Sequence, residues 1–112
     1  MTDSMVYGDN DERLEDDANL FLCKLYRVVR GIMDEDRYAL GIFQSLGLKG
    51  INDEEQATKQ ITQHLWLQNR IEKIEGKKGF IKLTHEGLTW CISDCGKPIY
   101  SRTEKYHNLR YP

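Results

Sequence analysis

Ile74-Glu75-Gly76-Lys77-Lys78-Gly79-Phe80-Ile81-Lys82-Leu83-Thr84-His85-Glu86-Gly87 is the stretch that decides how this chain folds. Two glycines bracket two lysines, and glycine supplies the backbone freedom that a hairpin tip requires. Residues 70–75 and 80–83 flank the tip and are rich in β-branched and aromatic side chains, so they read as its two strands. Thr84 then stands where a helix N-cap is needed. Leu88, Cys91, Ile92 and Cys95 follow at i, i+3, i+4 and i+7, the stripe of an amphipathic helix. Gly96-Lys97-Pro98 ends that helix.

Upstream, the apolar period is helical. Asp16 or Asp17 caps a first helix whose stripe is Phe21, Leu25, Val28, Val29 and Ile32, with Gly31 at its end. Asp34 caps a second helix carrying Tyr38, Ile42, Phe43 and Leu46, and Gly47 stops it. The acids of Asp34-Glu35-Asp36 suit a helix start, where they complement the dipole. Asn52 or Asp53 caps a third helix with Glu54 and Glu55 in its first turn. Its buried side is Ala57, Ile61, His64 or Leu65, and Gln68. Asn69 follows, a residue that tolerates the left-handed conformation.

Three helices, a hairpin with a basic tip and a further helix make an α+β arrangement that resembles the winged-helix DNA-binding domains, a helix-turn-helix followed by a β-wing. Leu83, Thr84 and Gly87 match the Leu-Thr-x-x-Gly with which the return strand of bacterial and archaeal winged-helix regulators ends. The resemblance covers about residues 18–95. In length and character the chain is also similar to the small winged-helix proteins of archaeal spindle-shaped viruses. The resemblance implies three core helices, a two-stranded wing and a C-terminal helix, with the third helix in the major groove.

Composition bounds the alternatives. The chain has 112 residues, 39% of them apolar and 30% charged, and a net charge of −2. That size fits one domain with a small core. No apolar run is long enough to span a membrane. The polar, acidic opening is unlike a secretory signal, so the expected location is the cytoplasm, or the host cell interior for a viral protein. Charge is uneven. Residues 1–17 hold seven acids and one base and read as a flexible acidic tail, either a solubilising leader or a DNA mimic that screens a basic surface. Residues 18–95 hold eleven bases and ten acids. Residues 96–112 hold four bases and one acid, interleaved with Tyr100, Tyr106 and Tyr111, and read as a basic, aromatic tail able to grip phosphates and stack on bases.

The third helix must bury one face and present the other. With Ala57 at the centre of the buried side, an advance of about 100° per residue puts Glu55, Lys59, Thr62, Gln63 and Trp66 opposite, with Gln56 and Gln60 on the flank. Gln56, Lys59, Thr62 and Gln63 are therefore the expected base-reading residues. Glutamine pairs with adenine, and lysine reaches guanine or phosphate. Glu54 and Glu55 repel phosphate and are better read as capping residues. On the wing, Lys73, Lys77, Lys78 and Lys82 are expected to neutralise phosphates, and Arg102, Lys105 and Arg110 in the tail to add to them. The same face also suits a protein partner, because Trp66 and Leu67 side by side would make an interface anchor.

Cys23, Cys91 and Cys95 form no Cys-x-x-Cys pair, and no metal-ligand spacing is recognisable. The first reading is buried thiols on the stripe of the last helix. A disulfide is the other reading. It would join Cys23 to Cys91 or Cys95, since two cysteines one turn apart on a helix are poorly placed to bond each other. His64 reads as a flank of the core and His85 as solvated. No nucleophile–base pair, phosphate loop or acid cluster is present, so neither catalysis nor a cofactor is expected. The expected function is selective binding of double-stranded DNA, most simply in transcriptional regulation, by a monomer or weak dimer.

Overall fold

The computed structural model describes residues 6–8 and 11–96. In chain order its elements are α1 (Glu12–Val29), β1 (Arg37–Tyr38), α2 (Ala39–Ser45), α3 (Glu54–Leu67), β2 (Ile71–Lys73), β3 (Phe80–Leu83) and α4 (His85–Asp94). The described residues thus form an α+β domain of four helices and one antiparallel sheet, ordered β1-β3-β2. No helix among them is long and apolar enough to cross a membrane.

α1 begins earlier than the charge pattern suggests. Its cap is Asp11, whose side chain accepts from the Arg13 backbone N–H at 2.9 Å. The Arg13 guanidinium also donates to Asp11 at 2.8 Å and holds that carboxyl at about 2, well below its usual 3.8. Asp16 and Asp17 are therefore not caps but buried helical residues, and the Tyr7 hydroxyl donates to Asp17 Oδ2 at 2.5 Å. Tyr7 is itself fully buried. Gln60 of α3 clamps it by accepting from the Val6 and Tyr7 N–H groups at 2.9 and 3.1 Å and donating to the Tyr7 carbonyl at 2.8 Å. The described part of the expected acidic tail is accordingly built into the domain. Charge counting missed this because acids at a helix start are stabilised by the dipole and one aromatic can anchor a polar segment.

The helix ends at Arg30 (φ 54°) and Gly31 (φ 75°), both left-handed. Phe21, Leu25 and Val29 of the expected stripe are buried, together with Ala18 and Leu22. Ile32 is exposed because the left-handed turn carries the chain off the helical face before it, and Val28, still within α1, lies on the exposed side of the helix. Residues 34–38 do not start the second helix. Arg37 and Tyr38 are extended and pair with Ile81 and Phe80, and α2 begins at Ala39, with no side-chain cap. The sheet therefore has three strands where two were expected. Tyr38 packs on Phe80 across the strands at 5.4 Å between ring centres, and the Ala39 N–H donates to the Gly79 carbonyl at 2.8 Å. Gly79 has φ 84°, and a Cβ there would crowd the Tyr38 ring.

α3 matches its expected bounds. Asp53 caps it, and Ala57, Ile61 and Leu65 are fully buried against α1 and α2. Asn69 adopts the left-handed conformation at φ 61° and turns the chain into β2. β2 and β3 pair Ile71 with Leu83, Glu72 with Lys82 and Lys73 with Ile81. Because strand side chains alternate, Ile71, Ile81 and Leu83 face the core, and Glu72, Lys82 and Phe80 occupy the outer face.

The Leu83-Thr84-x-x-Gly87 motif now has a physical reason. The Thr84 hydroxyl accepts from the Gly87 N–H at 2.9 Å and donates to the Asn69 carbonyl at 2.6 Å, so one side chain caps α4 and ties it to the α3–β2 turn. Gly87 is glycine because a Cβ there would run into the Arg70 carbonyl. Beyond it α4 lies on α1. Cys91 is buried and its thiol donates to the Leu22 carbonyl at 3.8 Å. Burial pushes that thiol up to about 12, against a smaller pull from Arg70. Cys23 and Cys95 form a disulfide with their Cα atoms 5.6 Å apart. The buried-thiol reading thus applies to Cys91 alone, which is excluded from the bridge because it points into the α1–α4 contact. Ile92, expected on the buried stripe, is exposed.

Candidate nucleic-acid interface

α3 turns its Ala57–Ile61–Leu65 side inward, so helical geometry dictates what faces out. Gln56, Lys59 and Gln63 follow at spacings of three and four and form a single ridge. Lys59 and Gln63 are exposed, Gln56 is half-buried, and no described residue pairs with the Lys59 ammonium. Thr62 lies beside the ridge, half-buried, with its hydroxyl donating back to the Lys59 carbonyl at 3.2 Å. Gln60, also on the flank, is fully engaged with Val6 and Tyr7 and is unavailable to a ligand.

The acids separate by role. Glu54 accepts from Gln44 Nε2 at 3.1 Å, which holds it toward α2. Glu55 is exposed. Together with Asp53 they line a shallow hollow between α2 and the start of α3, closed by Leu40 and Ile51. The first turn of α3 is therefore acidic, and the region suited to a polyanion lies from Gln56 toward the C-terminal end.

The four wing lysines do not share one surface. Lys73 adjoins the ridge. Its ammonium donates to Gln63 Oε1 at 3.1 Å and sits 4.8 Å from the centre of the Trp66 ring. Lys82 points to the outer face of the sheet, 3.7 Å from its cross-strand neighbour Glu72. Lys77 folds back over the same outer face, 4.4 Å from the Phe80 ring centre and 3.1 Å from Asp36. Lys78 is exposed at the tip, and no described residue pairs with it. Arg102, Lys105 and Arg110 lie outside the described residues. His64 Nε2 donates to Glu15 Oε1 at 2.5 Å and so joins α3 to α1.

Sequence reasoning missed two parts of this geometry. Asp36, expected at a helix start, is the counter-charge of Lys77, 41 residues away. Lys73, expected among the wing lysines, is also the strand residue that meets α3. Neither pairing has a local signal, because both depend on how the hairpin packs. Among the described residues no group of three His, Cys, Asp or Glu side chains converges on a metal-sized site. A second groove, on the outside of α4, is lined by Arg70, His85, Glu86, Thr89, Trp90, Ser93 and Asp94, with the Arg70 guanidinium 4.9 Å from the Trp90 ring centre.

The chain matches no family model, no curated protein and no solved structure.

Proposed function

We propose that this domain binds double-stranded DNA in the manner of a winged helix, as a transcriptional regulator and not as an enzyme. α3 enters the major groove. Gln56, Lys59 and Gln63 face the base edges, and Lys78 at the hairpin tip neutralises flanking phosphate. The observation that carries this reading is the ridge of α3. Three polar side chains in register, free of carboxylates from Gln56 onward, are extended by Lys73 from the adjoining strand. One such module buries roughly 600–1,000 Å² on DNA, so binding is of modest affinity and strongly dependent on salt.

A mobility-shift titration on random duplexes at several salt concentrations tests this. Lys78→Ala lowers the slope of log K against log salt by about 0.9, the release of one phosphate's counterion. Lys77→Ala lowers it less, because Asp36 already neutralises that ammonium. Gln63→Ala changes which duplexes are preferred. Binding that is indifferent to all three variants refutes the docking mode.

A second reading is favoured by a separate observation. Trp66 is 43% and Leu67 65% exposed, adjacent at the C-terminal end of α3. Large apolar side chains placed so are typical anchors of protein interfaces. In that case α3 docks a protein, duplex binding is absent, and Trp66→Ala abolishes the complex.

A further inference from the structure

The contact between Lys73 and Gln63 fixes which way the glutamine amide faces. An ammonium has three donors and no acceptor, so the atom it meets at 3.1 Å is the carbonyl oxygen Oε1. The Trp66 ring, 4.8 Å from the same ammonium, confines Lys73 from a second direction. Gln63 Nε2 is left with its two N–H donors, and no described residue accepts from it. Both side chains are exposed. The end of the ridge therefore presents an amide N–H beside an ammonium N–H, and the lone pair that Oε1 retains lies next to the positive charge.

Base edges in the major groove differ on this point. Guanine shows two adjacent acceptors, N7 and O6, whereas adenine shows the acceptor N7 beside the donor N6–H. An unencumbered glutamine pairs with adenine because it supplies one acceptor and one donor. Here the oxygen already receives the lysine, and an adenine N6–H approaching it meets a positive charge. Guanine meets no such conflict, since each of its acceptors faces a donor.

We propose that Gln63 and Lys73 act together as a donor pair selecting guanine, with Lys73 converting Gln63 from an adenine reader to a guanine reader. Trp66 is a positioning residue that holds the ammonium. The inference rests on the reading of α3 as the helix in the groove, and it adds to that reading the base that the helix selects and the strand residue that imposes the choice.

Selection of bound duplexes from a random pool tests it, using the full chain and four proteins. Gln63→Ala identifies the base pair concerned, as the one position at which its preference is lost. At that position the unmodified protein favours guanine over adenine by about 5- to 150-fold, the range of a good bidentate pair. Lys73→Met keeps an unbranched stem against Trp66, removes the charge and frees Oε1, so the preference at that position moves to adenine while other positions are unchanged. Lys73→Arg retains donors and keeps guanine. Both variants change an exposed side chain, and circular dichroism melts verify that each is folded.

Three results overturn the proposal. Lys73→Met retains the original base preference and loses only affinity and about 0.9 of the salt slope, which makes Lys73 a phosphate contact. The unmodified protein favours adenine at the Gln63 position. Folded Lys73→Met binds no duplex. Failure of the underlying reading looks different, since the unmodified protein then enriches no duplex at all.

Discussion

Removal of the Cys23–Cys95 bridge is the perturbation whose size follows most directly from the fold. The bridge joins α1 to the residue after α4 and spans 72 positions of sequence, so it closes most of the described chain into one loop. In the chain-entropy treatment, a loop of that size restricts the unfolded ensemble by about 4 kcal/mol at 25 °C. Folded contacts barely enter, because α4 keeps its Thr84 cap and its Cys91 packing without the bridge. Against a total stability of about 5–15 kcal/mol for a domain, this is a large share. Equilibrium urea unfolding of the unmodified protein, with and without a dithiol reductant, measures it, and Cys95→Ser provides the permanent form. With a slope of about 1–3 kcal/mol per molar urea, the midpoint falls by about 1.3–4 M on reduction. The slope itself rises, since the unbridged unfolded chain exposes more surface. Cys91→Ala must retain the response to reductant. Thiol labelling gives an independent count. The chain has three cysteines. The native protein labels at none, because burial of Cys91 holds its thiol protonated with a value of about 12. The denatured protein labels at one, and the denatured and reduced protein at three. Three reactive thiols without reductant, or an unchanged urea midpoint on reduction, would refute the reasoning.

The remaining predictions concern the joints of the fold. Thr84→Ala removes the cap of α4 and the bond to the Asn69 carbonyl and costs about 1–2 kcal/mol in a denaturant melt, while Thr84→Ser costs much less. Gly87→Ala forces a methyl group toward the Arg70 carbonyl and costs about 3 kcal/mol, seen as a lower melting temperature with an unchanged far-ultraviolet spectrum. Tyr7→Phe removes the hydrogen bond to the buried Asp17 and costs about 1–3 kcal/mol, which limited proteolysis reads as faster cleavage near the N-terminus. The Asp11 carboxyl binds its proton more weakly in the folded than in the unfolded chain. Its contribution is therefore fully present above pH 4 and is lost as the pH falls from its usual 3.8 toward about 2. Because the Arg13 side chain is 42% exposed, solvent reduces this to about 1 kcal/mol. Stability measured against pH shows that loss in the unmodified protein and not in Arg13→Met.

Several features were legible residue by residue. The caps Asp53 and Thr84, the left-handed Asn69 and the buried row Ala57–Ile61–Leu65 all follow from interactions within four residues of chain. The outward ridge Gln56–Lys59–Gln63 is the complement of that row and is legible for the same reason. β1 was not legible, because two extended residues carry no periodicity and Tyr38 is a strand residue only by pairing with Phe80. The docking of Tyr7 was hidden by the acids that surround it in sequence. Its partners Asp17 and Gln60 lie 10 and 53 residues away.

By itself the sequence determined the bounds of α3, the hairpin and the start of α4, and which residues of α3 face outward, and it left open a bond from Cys23 to Cys91 or Cys95. Local hydrogen bonding and the helical repeat are sufficient for these. Only the tertiary structure decided that the bridge is Cys23–Cys95, that Lys77 answers to Asp36 and that Lys73 stands beside Gln63 and Trp66. A charged side chain finds its partner through the packing of distant elements. The physical identity of the surface therefore depends on strand register and on which face each lysine occupies, and neither is written in the neighbouring residues.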